Sequence, residues 1–245
     1  MKILSIGNSL SQDAQRYLHA LAKHDGVSLR AVNLYIGGCP LRKHYLNMLD
    51  DNAYYDYEFN GEKTGLKVSI RQALASDDWD VVTLQQGSLV SDKWETYTPY
   101  LQALAEYVKK YCPNAKLLIH QTWAYKKDSP HLVTKMGYST PEEMFAKVEE
   151  CYYRAAALIE VDGMIPSGAA MLKAYQLGSE NLYYDDCHAS RGAGRYLLAL
   201  CWFKYLTGRE ITGNTFAEFD TPVTEADREI AIRAVNETVG ISQIQ

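Results

Sequence analysis

The chain is poor in cysteine, and none of its cysteines is spaced for a joint task. Cys39, Cys112, Cys151, Cys187 and Cys201 are odd in number, widely separated and never arranged as Cys-x-x-Cys. That excludes a disulfide framework and leaves free thiols in a reducing compartment as the expectation. No apolar run reaches the roughly 18 residues that a membrane helix needs, so no membrane partner is expected. Lys and Arg are interspersed among Asp and Glu at a net charge of −5, without a basic stripe. A nucleic-acid partner is therefore not expected either. The N-terminus enters a strand-like run at once, with no basic region and long apolar stretch, which points away from a secretory signal and toward a cytoplasmic protein. No internal repeat, low-complexity tract or Gly/Pro/Ser-rich linker divides the chain. With 245 residues and 47% hydrophobic content, it suits one α/β domain with a full core.

What is present is an alternation. Strand-like runs fall at Lys2–Ile6, Leu29–Ile36, Asp80–Gln86, Lys116–Gln121 and Gly163–Pro166. The second, third and fourth are largely apolar, as strands buried on both faces are. Helical stripes lie between and after them. Ala14, Tyr17, Leu18, Leu21 and Ala22 recur at helical spacing before Gly26, and Tyr97 to Val108 forms a second stripe. Thr140-Pro141-Glu142-Glu143 is a capping box that predicts a helix to about Ile159. Ala193 to Phe203 leads to a closing Gly208, and Thr224–Val239 is amphipathic. The pattern predicts a three-layer α/β/α sandwich around a mostly five-stranded parallel sheet. Residues 41–78 interrupt it. There, alternating aromatics from Ala53 to Phe59 run into Asn60-Gly61 and predict a β-hairpin over about 53–69. It reads as an excursion from the sheet, in a position to cover the site.

In parallel sheets, sites lie beyond the carboxyl ends of the strands. Ser9, Gly37-Gly38, Gln86 and Trp123 all follow predicted strands. A serine in the strand-to-helix turn Gly7-Asn8-Ser9 can be aimed out of the sheet as a nucleophile, although such a turn alone is more often just a helix cap. Asp185-Asp186-Cys187-His188 offers a general base with an aspartate three residues before it to orient the ring. The plain alternative is a capping aspartate beside a surface histidine. The same four residues are potential metal ligands, but adjacent residues rarely fit a metal's geometry and no second His/Cys cluster accompanies them. No metal is expected. Ser9, His188 and Asp185 thus form a candidate Ser-His-Asp set. Gly38, with Gly37 as the alternative, lets a backbone N–H approach a substrate closely. Gln86, with Gln85 as the alternative, carries an amide donor at a strand end. Both suit an oxyanion hole. Among the aromatics, which include 19 tyrosines, Trp123 is the one placed to line a substrate pocket. His131, in the segment Lys126–Ser139, reads as a surface loop residue.

The order Gly-Asn-Ser, Gly-Gly, Gln-Gln-Gly-Ser, Asp-x-x-His resembles the SGNH hydrolase superfamily, the GDSL-type esterases, and the likeness runs from Ile3 to Gly208. The resemblance implies a flavodoxin-like hydrolase fold, Ser9 as nucleophile, Gly38 in the oxyanion hole, and Asp185 and His188 as the remaining catalytic pair. Two blocks depart from the family pattern. Gly-Asn-Ser stands where many members have Gly-Asp-Ser. The Gly-x-Asn of the third block is missing, and Leu84-Gln85-Gln86-Gly87-Ser88 is more similar to the Gln-Gly-Glu segment of the carbohydrate acetylesterase branch.

The expected activity is therefore hydrolysis of short acyl esters, acetyl above all, on a carbohydrate or similar polar alcohol, with no metal or organic cofactor. The rivals are a lipase or thioesterase for longer chains and a non-catalytic glycan-binding module on the same fold. The oligomeric state is left open.

Overall fold

The computed structural model describes residues 1–240. Five parallel strands form its centre: β1 (Lys2–Gly7), β2 (Arg30–Tyr35), β5 (Val81–Leu84), β6 (Lys116–His120) and β7 (Gly163–Ile165). The hairpin strands β3 (Tyr55–Phe59) and β4 (Glu62–Val68) extend them into one seven-stranded sheet, ordered β4-β3-β2-β1-β5-β6-β7. The hairpin is thus part of the sheet rather than an excursion from it. β3 lies antiparallel to β2, with Val32 opposite Phe59 and Tyr35 opposite Asp56. Asn60 (φ 52°) and Gly61 (φ 82°) make the turn, the left-handed pair of a type I′ hairpin. Asn60 is bonded to both backbone groups of Ala31, which pins the turn to the amino end of β2, away from the edge where Ser9 emerges.

Strand side chains alternate between two cores. Ile3, Ala31, Val81, Leu118 and Ile165 belong to one. Leu4, Val32, Val82, Leu84, Leu117 and Ile119 belong to the other. The first is covered by α1 (Ser9–Gln15), α2 (Leu18–His24), α7 (Ser167–Gln176), α8 (Ala193–Thr207) and α9 (Glu225–Thr238). The second is covered by α3 (Leu41–Asp50), α4 (Ile70–Leu74), α5 (Tyr100–Tyr111) and α6 (Pro141–Ile159). α8 is apolar all round, as a helix enclosed by neighbours must be; it packs on α1, α2, α7 and α9, and Leu198, Leu200, Trp202 and Phe203 are fully buried. The single stripe from Ala14 to Ala22 resolves into two helices that break at Arg16-Tyr17. The break lets the Tyr17 hydroxyl accept from Asp220 N and donate to the Arg191 carbonyl. Strand order reverses between β1 and β5, and Ser9 stands at that switch point, where open α/β sheets leave a crevice.

Candidate active site

Ser9 is the first residue of α1, and Asn8 caps the helix by accepting from Leu10 N at 2.9 Å. The cap leaves the Ser9 N–H free, as the first donors of a helix are. Gly7 allows α1 to turn back tightly on the sheet, since a Cβ there would lie 2.3 Å from Ser11 Oγ. At the other end of the chain, Asp185 folds its own loop. Its Oδ1 accepts from the N–H groups of Cys187 (2.9 Å) and His188 (2.7 Å), and its Oδ2 meets His188 Nδ1 at 2.7 Å. Partial burial pushes the Asp185 carboxyl up, but the two backbone donors and the imidazole together hold it below the usual carboxylate range. With Nδ1–H donated to the carboxylate, His188 Nε2 carries the lone pair. Ser9 Oγ lies 2.9 Å from it. The structure therefore brings Ser9, His188 and Asp185 into one hydrogen-bonded line across 179 positions of sequence.

A second link holds the two segments together. Asp13, one helical turn beyond Ser9, accepts from Ala189 N at 3.0 Å and from Arg195 Nε at 2.9 Å. The serine helix and the histidine loop are thus fastened just below the Ser9–His188 bond. Tyr184, 53% exposed, stacks its ring on His188 with centroids 5.5 Å apart and planes 17° apart.

Gly38 sits in the turn after β2, where Cys39 N bonds to Ile36 O. Its φ of +60° is a conformation that glycine adopts without strain. Asn8 Nδ2 donates to Cys39 O at 3.2 Å, tying this turn to the residue before Ser9. Among the described residues the Gly38 N–H has no acceptor. The Ser9 and Gly38 N–H groups are thus both without an acceptor among the described residues.

Two predicted site residues are not brought there. Gln86 is buried (1%) and faces the α3–α5 core along with Val82 and Leu84. Its Oε1 accepts from Leu41 N (2.8 Å) and Gly87 N (2.9 Å), and its amide donates to Thr96 O and Oγ1. It caps α3, whose N-cap Pro40 offers no side-chain acceptor, and has no hydrogen left for an oxyanion. Trp123 is also buried (1%). Its indole N–H donates to Cys187 O at 2.7 Å, so it holds the histidine loop from beneath and presents no face to a substrate. His131 pairs with Asp186 at 2.5 Å and fastens the 126–139 segment to that loop.

The residue that stands behind Asn8 is Gln85, named from the sequence only as the alternative oxyanion donor to Gln86. Asn8 Oδ1 accepts from Leu10 N, so the Gln85 atom 2.6 Å away must be the donor Nε2. Gln85 Oε1 then accepts from Ser11 Oγ and from His120 Nδ1, the latter at 2.8 Å. His120 Nε2 faces Ser167 Oγ at 3.0 Å. Burial pushes the His120 imidazole down to about 3, in keeping with this neutral tautomer. The chain His120–Gln85–Asn8–Cys39 O sets the Gly38 turn. A period-two reading of β5 would have put Gln85, with Val81 and Thr83, on the α1 face.

A family model described as a domain of unknown function, DUF4886, matches residues 2–237. The chain belongs to the DUF4886 family. A crystal structure of a DUF4886 family protein from Bacteroides uniformis ATCC 8492 is similar at 30% identity and TM-score 0.91, covering 100% of this chain and 98% of that one. A candidate SGNH hydrolase from Slackia heliotrinireducens is 27% identical with TM-score 0.62, covering 84% and 98%. The acetylxylan esterase Axe2 from Geobacillus stearothermophilus, at 16% identity and TM-score 0.50 over 83% and 92%, shares the fold. Comparison with curated proteins finds no match. This DUF4886 chain therefore has the SGNH hydrolase fold.

Within the DUF4886 site, Asp185, Cys187 and His188 bring potential ligand atoms within 4.8 Å of one another. They make a poor metal cage. The His188 nitrogen nearest the thiol is the one held by Asp185, and burial pushes the Cys187 thiol up to about 12, which disfavours the ligating thiolate. A polar cavity of about 550 Å³ opens beside α1 and is lined by Gln12, Arg16, Glu58, Lys63, Arg191 and Asp220, among others.

Proposed function

We propose that this protein is a serine esterase that removes short acyl groups from a polar, sugar-like alcohol. One observation carries the reading: the line Ser9 Oγ–His188 Nε2 (2.9 Å) and His188 Nδ1–Asp185 Oδ2 (2.7 Å), set beside two unengaged N–H groups on a hydrolase fold. Ser9 attacks the acyl carbon as its proton passes to His188 Nε2. The Ser9 and Gly38 N–H groups receive the oxyanion. Collapse expels the alcohol, which takes the proton from His188. Water then attacks the acyl-serine by the same route in reverse, with no call for a metal or organic cofactor. Asp185 keeps the imidazole in the required tautomer and steadies the imidazolium. The charged lining of the cavity beside α1 supports a polar alcohol over a fatty one.

The test is a p-nitrophenyl ester series from acetate to octanoate. Activity should be highest on acetate and fall steeply after butyrate. Ser9→Ala and His188→Ala should each remove nearly all of it, and the double variant should be little worse than either, since the residues act as a unit. Rates that climb with chain length would favour a lipase or thioesterase. A Ser9→Ala protein with full turnover would refute the serine mechanism.

A further inference from the structure

The cavity beside α1 is lined by residues that neighbour the Ser9–His188 pair, although neither of the pair lines it. Gln12, on one wall, is three residues past Ser9 on the same helix, and residues at that spacing share a face. Arg191, also in the lining, lies over the Tyr184 ring at 5.7 Å, and that ring stacks on His188. Lys63, from β4, lies over the Tyr35 ring at 6.0 Å. The Tyr35 hydroxyl in turn stands 3.4 Å from where a Cβ on Gly37 would be, next to the Gly38 turn. Arg191 and Lys63 thus both line the groove, each next to a ring that neighbours the candidate site.

The other charges are already spoken for. Arg16 holds Glu62 and Asp220 at the far end. Arg195 is divided between Asp13 and Asp220. Glu58 lies on the floor, cross-strand from Lys63, and its oxygens accept from Gln12 Nε2 and Asn33 Nδ2. Burial pushes the Glu58 carboxyl up, against the pull of its two amide donors and of the Lys63 charge. Among the described residues, no carboxylate comes within ion-pairing distance of either Arg191 or Lys63. Two cations that line one groove without an ion-pair partner, beside polar donors and an exposed tyrosine ring, form a cradle for an anion attached to a hydroxylated body.

We infer that this groove is the site for the alcohol part of the ester, and that this part bears a carboxylate or phosphate held between Arg191 and Lys63. For the ester's fate the inference rests on the esterase reading, but the groove can be tested without turnover. Binding of methyl glucuronoside, methyl glucoside and glucose 6-phosphate to the Ser9→Ala protein should be measured by calorimetry at low salt. At least one anionic sugar should bind about tenfold or more tighter than the neutral one, and the two anions together tell carboxylate from phosphate. The preference should shrink in Arg191→Gln and in Lys63→Gln, approach unity in the double variant, and weaken as salt is added. Lys110→Gln, which makes the same change of net charge on α5, should keep it. Equal binding of the neutral sugar, no millimolar binding of either anion, or a preference that survives in the double variant would overturn the inference. An inactive wild type on p-nitrophenyl acetate would instead refute the esterase reading and leave this binding result standing.

Discussion

Replacing Trp123 by phenylalanine separates the role given to this residue here from the one its sequence position suggested. The substitution keeps an aromatic ring and deletes the donor to Cys187 O, a 2.7 Å bond from a buried indole to a part-buried loop. A carbonyl shielded from water and left without its partner costs about 1–3 kcal/mol. Losing the two carbons by which the indole exceeds the phenyl ring costs roughly 1–2 kcal/mol more. At about 2–4 °C per kcal/mol for a chain of this size, Tm should fall by roughly 5–15 °C. Catalysis should suffer through the histidine. Cys187 is fixed from both sides, its N–H by Asp185 and its carbonyl by Trp123, and His188 follows it directly. Misplacing a reacting group by an ångström costs up to about 10²-fold, so kcat should drop from several-fold to that extent. Because the loop loosens whatever the alcohol, p-nitrophenyl acetate and an acetylated methyl glycoside should lose activity in the same proportion. A melting curve with parallel kinetics on the two esters is the assay. An unchanged Tm, with KM raised for the sugar ester alone, would refute the reasoning and return the ring to the substrate.

Gln86→Ala should cost about 1–3 kcal/mol of stability by stripping the acceptor from Leu41 N and Gly87 N, while kcat on p-nitrophenyl acetate changes little; a loss of 10²-fold or more in kcat at unchanged Tm would put Gln86 back in the oxyanion hole. Stability should also fall on mild acidification. Burial pushes His44 and His120 down to about 3 from the ordinary 6.5, so the folded chain stays neutral at both while the unfolded chain takes up protons. Their contribution is complete above about pH 6.5 and is lost as pH falls toward 3, at up to about 1.4 kcal/mol per pH unit for each. Urea melts at pH 7.5 and 5 should show the loss, and two imidazoles should fail to titrate by NMR between those values; flat stability would contradict it.

Much of the frame was legible because its signals are local. The five parallel strands and the helices from Pro141, Ala193 and Glu225 announce themselves by apolar runs, caps and closing glycines. Ser9, Asp185 and His188 each sit in a short motif, and the rule for parallel sheets is enough to send both ends of the chain to one edge. What escaped depends on partners distant in sequence. α3 follows Pro40 with no capping side chain of its own, and its acceptor is Gln86, just past β5 and 45 positions from Leu41. The same fact hides what Gln86 does. α7 likewise opens behind Pro166 without a side-chain cap. Trp123 follows a strand just as a pocket residue would, and only the return of the 185–188 loop over it makes it a core residue. The hairpin was found from its turn, but its pairing with β2 rests on register with residues such as Ala31, which no turn motif specifies.

The bond from Ala189 to Asp13 also bears on how the protein is made. Ser9 leaves the ribosome on the first helix, whereas Ala189 and Arg195 come some 180 residues later. At roughly 5–20 residues per second, about 10–40 seconds of synthesis separate them. Throughout that interval Asp13 has no partner from the C-terminal third, so α1 cannot settle in its final position without burying a bare carboxylate. Turnover by Ser9 then becomes a clock for the last docking event. In a refolding or cell-free translation experiment, activity should appear only when α8 is in place, well after most of the sheet has formed.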